Sequence, residues 1–233
     1  MRIRTLAAVA LLFFAVPALA EEAPSFKDAK EKQSYAIGMD IANNLKRQNV
    51  EIDPALLVKG VQDVYGGGKT LLSDEEAREV LTSLQKDLMQ KAQAQAQEMA
   101  EKNRKEGEAF LGENRKKEGV VTLESGLQYK VIRSGDGPTP KATDTVEVNY
   151  RGTLIDGTEF DSSYKRGQPV TFPVNGVIAG WTEALQKMKV GDSWQLFIPS
   201  DLAYGQRAVG RDIGPNSTLI FEVELLGIKT AQQ

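Results

Sequence analysis

The sequence predicts an α+β protein, with a helical N-terminal half followed by a C-terminal antiparallel sheet wrapped around one short helix. Three observations support this prediction. Helix-forming residues dominate from residue 28 to about 118, and no proline interrupts the chain between Ser73 and Gly137. From Val120 onward, apolar and polar residues alternate, which is typical of half-buried strands. Within this second half, one segment around Trp181 returns to helical spacing.

Composition excludes several classes of chemistry. The sequence contains neither histidine nor cysteine. Nucleophile systems that depend on histidine and the usual zinc sites therefore lack their residues, and no disulfide framework can form. The 29 basic residues are outnumbered by 32 acidic ones, so the formal net charge is −3. An acidic chain without basic clusters argues against a nucleic-acid partner. We expect no metal and no cofactor.

The first 20 residues have the features of a secretory signal peptide. Arg2 and Arg4 give a basic start, Leu6 to Val16 form an apolar run, and Ala18-Leu19-Ala20 is a cleavage motif. The alternative is a transmembrane anchor, but the apolar run is shorter than the roughly 20 residues that span a bilayer. We therefore predict export to the periplasm, where association with the outer membrane or cell surface is a further option.

Two short helices are predicted next. Residues 28–48 carry apolar side chains around a broad part of a helix. Asp53 and Pro54 then supply an N-cap and a first-turn proline for a second helix, which Gly66 ends.

These helices are too small to enclose much core, so we interpret residues 21–72 as a dimerisation module. The apolar surface that would bind a second copy is centred on four residues: Ile37, Ile41, Leu45 and Leu57. A self-contained helical bundle is the alternative.

A long linker helix is predicted over residues 73–118. It begins at a capping box formed by Ser73 and Glu76. Its middle is polar nearly all round, which is typical of a solvent-exposed bridge between domains. A helix of about 45 residues would be roughly 67 Å long at 1.5 Å per residue, wider than a compact domain.

Three glycines affect where this helix bends or ends. Gly107 and Gly112 each lower helix stability by up to about 1 kcal/mol relative to alanine, so a bend or break is an option there. Gly119 has the properties of a residue that follows a helix end, with Lys116 and Lys117 in the last turn.

Residues 120–233 are predicted to form the sheet domain. Asp156-Gly157 indicates a tight turn within it. The helix near Trp181 places four apolar side chains on one face: Trp181, Ala184, Leu185 and Met188. The simplest interpretation of this face is core packing. The alternative, a binding site, is favoured by aromatic residues in several surrounding segments.

Four blocks of this domain resemble the FKBP-type peptidyl-prolyl cis-trans isomerases. They are VNYRGTLIDGTEFDSS at 148–163, VIAGWTEAL at 177–185, AYG at 203–205 and LIFEVELL at 219–226. The segment SYAIGMDIANNLKRQNVEIDPALLVKGVQDV at 34–64 is similar to the dimerising extension of the Mip-like (macrophage infectivity potentiator) periplasmic group. The resemblance implies a sheet half-wrapped around a short helix, and a hydrophobic pocket that receives proline.

The resemblance also implies roles for ten residues. The catalytic set is Asp161, Tyr204, Phe160 and Trp181, with Trp181 as the pocket floor. The substrate-binding set is Tyr150, Arg166, Val177, Ile178, Ile213 and Phe221, in which the Ile178 N–H binds a substrate carbonyl and Arg166 pairs with Asp161. The implied partners are proline-containing and unfolded exported polypeptides, a second copy of the chain, and macrolide inhibitors of the tacrolimus or rapamycin type.

Taken singly, these residues have simpler interpretations. Tyr150 and Phe221 fit a sheet core, Asp161 fits a turn cap, and Tyr204 fits a turn aromatic. Val170, Ala179 and the loop 206–214 depart from the family pattern, which bears on substrate preference and macrolide affinity. Two functions follow: a dimeric prolyl isomerase, or a binding chaperone in which turnover is secondary.

Overall fold

The computed structural model describes residues 26–229, so the predicted signal peptide lies outside the described residues. The chain divides into two compact units, Met1–Ala77 and Arg78–Gln233. The α+β class is confirmed: helices dominate the first part and an antiparallel sheet the second.

The N-terminal unit contains the two short helices that the sequence predicts. Helix α1 is Ala29–Arg47 and helix α2 is Pro54–Tyr65. The carboxylates of Asp28 and Asp53 accept hydrogen bonds from backbone N–H groups of the first turns, and Gly66 ends α2. Both aspartates thus satisfy donors that a helix start leaves free.

Neither α1 nor α2 contains a buried residue. Ile37 is 62% exposed, Leu56 is 59% exposed and Val64 is 70% exposed. This unit therefore leaves a large apolar surface in contact with solvent, which is unusual for a soluble protein.

Helix α3 is continuous over Asp74–Asn114, 41 residues. The predicted capping box begins it: the Ser73 N–H donates to Glu76 Oε2 at 2.8 Å, and the Glu76 N–H donates to Ser73 Oγ at 3.2 Å. The helix passes through Gly107 and Gly112 without interruption.

The predicted helix end at Gly119 is wrong. Helix α3 ends at Asn114, whose buried side-chain amide donates to Gln128 Oε1 at 3.0 Å. Gln128 in turn donates to the Leu111 carbonyl at 3.0 Å, so the last turn of α3 is bonded to the sheet. Gly119, with φ of +79°, instead turns the chain into the first strand.

Within the described residues, seven strands form one antiparallel sheet. They are β1 Val120–Thr122, β2 Gln128–Arg133, β3 Thr145–Leu154, β4 Glu159–Ser162, β5 Val170–Pro173, β6 Ser193–Ile198 and β7 Leu219–Lys229. Their order is β1-β2-β6-β7-β3-β4, and β5 pairs with the first half of β3. Strand β3 thus lies between β7 on one side and β4 and β5 on the other.

Helix α4, Ala179–Leu185, packs on one face of this sheet. The predicted apolar face is buried: Trp181 is 4% exposed, and Ala184, Leu185 and Met188 are fully buried. Phe110 of α3 contacts Phe197 of β6 with ring centroids 6.0 Å apart. No helix within residues 26–229 is long and apolar enough to cross a membrane.

Candidate functional site

The site is built on an aromatic cluster around Trp181, in the first turn of α4. The Trp181 ring makes edge-to-face contacts with the rings of Tyr150, Phe172 and Phe221, with centroid distances of 5.3, 5.4 and 5.1 Å. Phe160 meets Phe221 edge to face at 5.4 Å. These side chains come from α4 and from strands β3, β4, β5 and β7, so the fold converges on this point.

The aromatic cluster forms the apolar part of an open cavity of about 760 Å³. Nine of the ten residues singled out from the sequence line it. They are Tyr150, Phe160, Asp161, Val177, Ile178, Trp181, Tyr204, Ile213 and Phe221. Arg166 does not line the cavity but bonds to two residues that do.

A glycine in β3 allows the two phenylalanines to pack closely. Gly152 is paired with Phe221 of β7 and Asp161 of β4. A Cβ atom at this position would lie 2.6 Å from the Phe160 ring and 2.7 Å from the Phe221 ring. Only glycine leaves the space that these rings occupy.

Three polar side chains form a hydrogen-bonded group at the cavity wall. The Tyr150 hydroxyl donates to Asp161 Oδ2 at 2.5 Å. Arg166 donates from one Nη to Asp161 Oδ1 and from the other to the Tyr150 hydroxyl, the latter at 2.7 Å. The Ser162 N–H also donates to Asp161 Oδ1, at 2.8 Å. The carboxylate is therefore held in one orientation by several donors.

The rim of the cavity comes from two other segments. Val177 and Ile178 precede α4, and the Ile178 N–H donates no hydrogen bond to any other residue in the described range. Tyr204 follows a 3₁₀ turn at Ser200–Leu202. Ile213, 7% exposed, is bridged to Val209 by backbone hydrogen bonds of 2.8 and 3.3 Å. The rim thus adds a backbone donor without a partner in the described range and a tyrosine to the cavity.

Comparison with protein families identifies the chemistry of this fold. The model described as FKBP-type peptidyl-prolyl cis-trans isomerase matches residues 137–226. The model described as the domain amino terminal to FKBP-type peptidyl-prolyl isomerase matches residues 30–131. The outer membrane protein MIP of Legionella longbeachae is 49% identical over 97% of this chain and 97% of its own length. The chain belongs to the FKBP-type peptidyl-prolyl cis-trans isomerase family.

Other relatives agree with this membership. The FKBP-type peptidyl-prolyl cis-trans isomerase FkpA of Aeromonas hydrophila is 46% identical over 91% of this chain and 81% of its own length. The crystal structure of FkpA from Escherichia coli superposes with a TM-score of 0.70 at 42% identity, covering 89% of this chain and all of that one. The family resemblance drawn from the sequence is confirmed.

The electrostatics of this isomerase fix the charge state of its polar group. Burial raises the pKa of Asp161, but the hydrogen bonds from Tyr150 and Arg166 outweigh it and hold the pKa below its ordinary value. Burial, together with the hydrogen bond to Asp161, raises the pKa of Tyr150. At neutral pH the cavity therefore presents a carboxylate and a neutral phenol, neither poised to exchange a proton.

Two parts of the isomerase cavity lie outside the ten residues predicted for the site. Phe172 of β5 lines it and contacts Trp181, and the loop from Arg207 to Asp212 forms one side. The alternation of Val170 and Phe172 with Thr171 was a usable signal, because such alternation is typical of a half-buried strand. The loop has no periodicity from which its position could be read.

No group of histidine, cysteine, aspartate and glutamate suited to a metal ion occurs in the part of the chain that the structure describes.

Proposed function

We propose that this isomerase binds the proline of exported polypeptides over Trp181 and lowers the barrier to rotation of the preceding peptide bond. That barrier is about 18–20 kcal/mol, because rotation breaks amide resonance. The observation that carries the proposal is the aromatic cavity of about 760 Å³ with one fixed polar group in its wall.

The proposed mechanism is non-covalent. A twisted amide has less charge separation than a planar one, so a cavity that replaces water with aromatic rings favours the transition state over the ground state. The rings of Trp181, Phe160 and Phe221 supply this apolar environment and fit the proline ring.

We propose that the polar groups of the cavity hold the peptide in place while its X-Pro bond rotates. The Ile178 N–H, which has no partner within residues 26–229, is positioned to bind a carbonyl that flanks the proline. The carboxylate of Asp161, fixed by Tyr150 and Arg166, and the hydroxyl of Tyr204 face the rotating amide. Hydrogen bonds that are already oriented need no reorganisation when the amide twists.

A protease-free assay on a proline tetrapeptide tests this function. We expect the mature chain to accelerate isomerisation, and Trp181→Ala to lose most of that activity. Glu222→Ala is a suitable control, because Glu222 is an exposed neighbour of Phe221 in β7 that does not line the cavity. A folded wild-type protein without any rate above background would disprove the proposal.

We further propose that the protein is a homodimer joined through α1 and α2 and located in the periplasm. The absence of buried residues in both helices supports pairing with a second copy. The predicted signal peptide and the relative named outer membrane protein support export. In this arrangement residues 21–72 dimerise, 73–118 link, and 120–233 carry the isomerase site.

Binding chaperone activity is a second candidate, supported by the 41-residue helix α3, which is longer than one active site requires. Loss of isomerase activity in Trp181→Ala and Asp161→Asn should leave suppression of aggregation intact if clients bind outside the cavity. Joint loss would instead assign client binding to the cavity.

Macrolides of the tacrolimus or rapamycin type are proposed ligands of the same cavity, and competitive inhibition of the peptide assay tests this.

A further inference from the structure

Helix α3 is hydrogen-bonded to the segment 214–217, which follows the loop 207–212 that lines the cavity. Asn103 Nδ2 donates to the Pro215 carbonyl at 2.8 Å and lies 3.4 Å from Ser217 Oγ. In the opposite direction, Asn216 Nδ2 donates to the Ala100 carbonyl of α3 at 3.3 Å. These bonds join residues more than a hundred positions apart in the chain.

The same segment is connected to two cavity residues, Ile213 and Tyr204, through residues next to them in the chain. It begins one residue after Ile213, which is buried in the cavity wall. Asn216 adopts a left-handed conformation, with φ of +56°, and its N–H donates to the Gly205 carbonyl at 2.7 Å. Gly205 is the neighbour of Tyr204. The segment thus fixes both Ile213 and Tyr204 relative to α3.

The fit between α3 and this segment leaves little free space. A Cβ atom on Gly214 would lie 2.9 Å from Asn103 Nδ2 and 3.0 Å from Met99 Sδ. Four residues further along α3, Gly107 is buried against Thr218, which precedes β7. A displacement of α3 would therefore move the segment with it, because closely packed atoms transmit strain.

We propose that Asn103 is a positioning residue for the isomerase site, and that α3 sets the geometry of Ile213 and Tyr204 through its bond to Pro215. The proposal rests on the function assigned to the cavity. Pro215 is buried, so its carbonyl has no ready replacement for the donor that Asn103 supplies. Without that donor the segment would populate other conformations, and substrate would bind only the fraction that keeps the wall in place.

The test compares Asn103→Ala and Asn103→Asp with Gln97→Ala in the full-length protein. Asn103→Asp keeps the size of the side chain but replaces the donor with an acceptor. Gln97 lies on the same helix, is exposed, and forms no side-chain hydrogen bond within the described range, so its substitution also removes an amide. The measurements are KM and kcat for a proline tetrapeptide.

We expect both Asn103 variants to raise KM by about threefold or more, since apparent affinity falls with the population of the binding-competent state. The value of kcat should change less than KM, because substrate that has bound selects the conformation in which Ile213 and Tyr204 are in place. Gln97→Ala should match the wild type. Unchanged KM in both Asn103 variants would overturn the proposal, including the case in which apparent kcat falls only in step with the loss of folded protein.

Amide hydrogen exchange separates this proposal from the assignment of the cavity. The amides of Ile213 and Asn216 donate to Val209 and Gly205, so they report the order of the loop without substrate. We expect faster exchange at both in Asn103→Ala than in Gln97→Ala. If the wild type proved inactive on prolyl peptides, faster exchange would still support the positioning role, and unchanged exchange would reject it.

Discussion

Gly152 has a strict steric requirement close to the cavity. An added methyl group would lie 2.6 Å from the Phe160 ring and 2.7 Å from the Phe221 ring, well inside contact distance. We predict that Gly152→Ala displaces both rings, lowers the free energy of unfolding by about 1–3 kcal/mol through overpacking, and removes most isomerase activity. Urea unfolding and the tetrapeptide assay measure the two effects.

Gly227→Ala is the matched control, since Gly227 also lies in a strand of the sheet and has no atom within 4 Å of an added Cβ. It should keep full activity and its stability should not fall. Wild-type activity in Gly152→Ala would show that the Phe160–Phe221 contact can relax without cost to the site.

Asp161 gives a prediction about pH. Its folded-state pKa is held below the ordinary value despite burial, so its charged form is favoured by folding. The stability that the carboxylate contributes is therefore present above the unfolded pKa of about 3.9 and is lost as the pH falls through the lower folded-state pKa. We predict that the stability difference between wild type and Asp161→Asn is constant from neutral pH to about 5 and shrinks below pH 4.

Urea unfolding of both proteins across this pH range measures that difference. A stability difference that grows on acidification would contradict the lowered pKa of Asp161. Activity should not follow the titration of Asp161 between about pH 5 and 8, because the group stays ionised throughout.

At the scale of single elements, α3 contains two glycines with opposite environments. An added Cβ on Gly107 would overlap the Thr218 side chain, whereas one on Gly112 has nothing within 4 Å. Alanine is favoured over glycine inside a helix by up to about 1 kcal/mol. We therefore predict that Gly112→Ala raises the free energy of unfolding by up to that amount, while Gly107→Ala lowers it. Thermal or urea unfolding of the two variants checks this, and a gain in both would mean that Thr218 moves aside.

Local signals predicted where two helices begin. The caps at Asp53 and Ser73 are complete within a few residues, so the starts of α2 and α3 followed from sequence. The end of α3 did not, because it depends on Asn114 being bonded to Gln128 in a strand. Alternation in β6 likewise leaves Phe197 on the face opposite Leu196, yet it is 5% exposed because Phe110 covers it. Burial of this kind depends on packing between elements. It cannot be predicted from the alternation within one strand.

The sequence likewise predicted one part of the candidate site and not another. Nine of ten proposed residues line one cavity because motif spacing carried them over from a family of the same fold. The loop from Arg207 to Asp212 lines that cavity too, but its position is set by backbone bonds between Val209 and Ile213 and by the contact of Gly214 with α3. The contact of Gly214 with α3 joins parts of the chain that are distant in sequence, and the loop itself has no periodicity, so its position could not be read from local pattern.

For the whole molecule, the apolar surface of α1 leads to a prediction about assembly. Ile37 and Ile41 are one helical turn apart and are 62% and 40% exposed. Burying such a side chain contributes about 1.5–3 kcal/mol, and in a symmetric dimer each residue counts twice. We predict that the double variant Ile37→Glu, Ile41→Glu sediments as a monomer at micromolar concentration while the wild type sediments as a dimer.

Asn43→Glu is the control for added charge, because Asn43 is exposed and lies about 200° around the helix from Ile41 at 100° per residue. It should remain a dimer.

The isomerase cavity is lined entirely by residues of the unit that begins at Arg78, so turnover of a tetrapeptide per site should be equal in monomer and dimer. Refolding of a protein client that binds two sites at once should be slower with the monomer, since linked sites raise the effective concentration of the second. A dimer that survives both glutamates would place the contact between copies elsewhere than this face of α1.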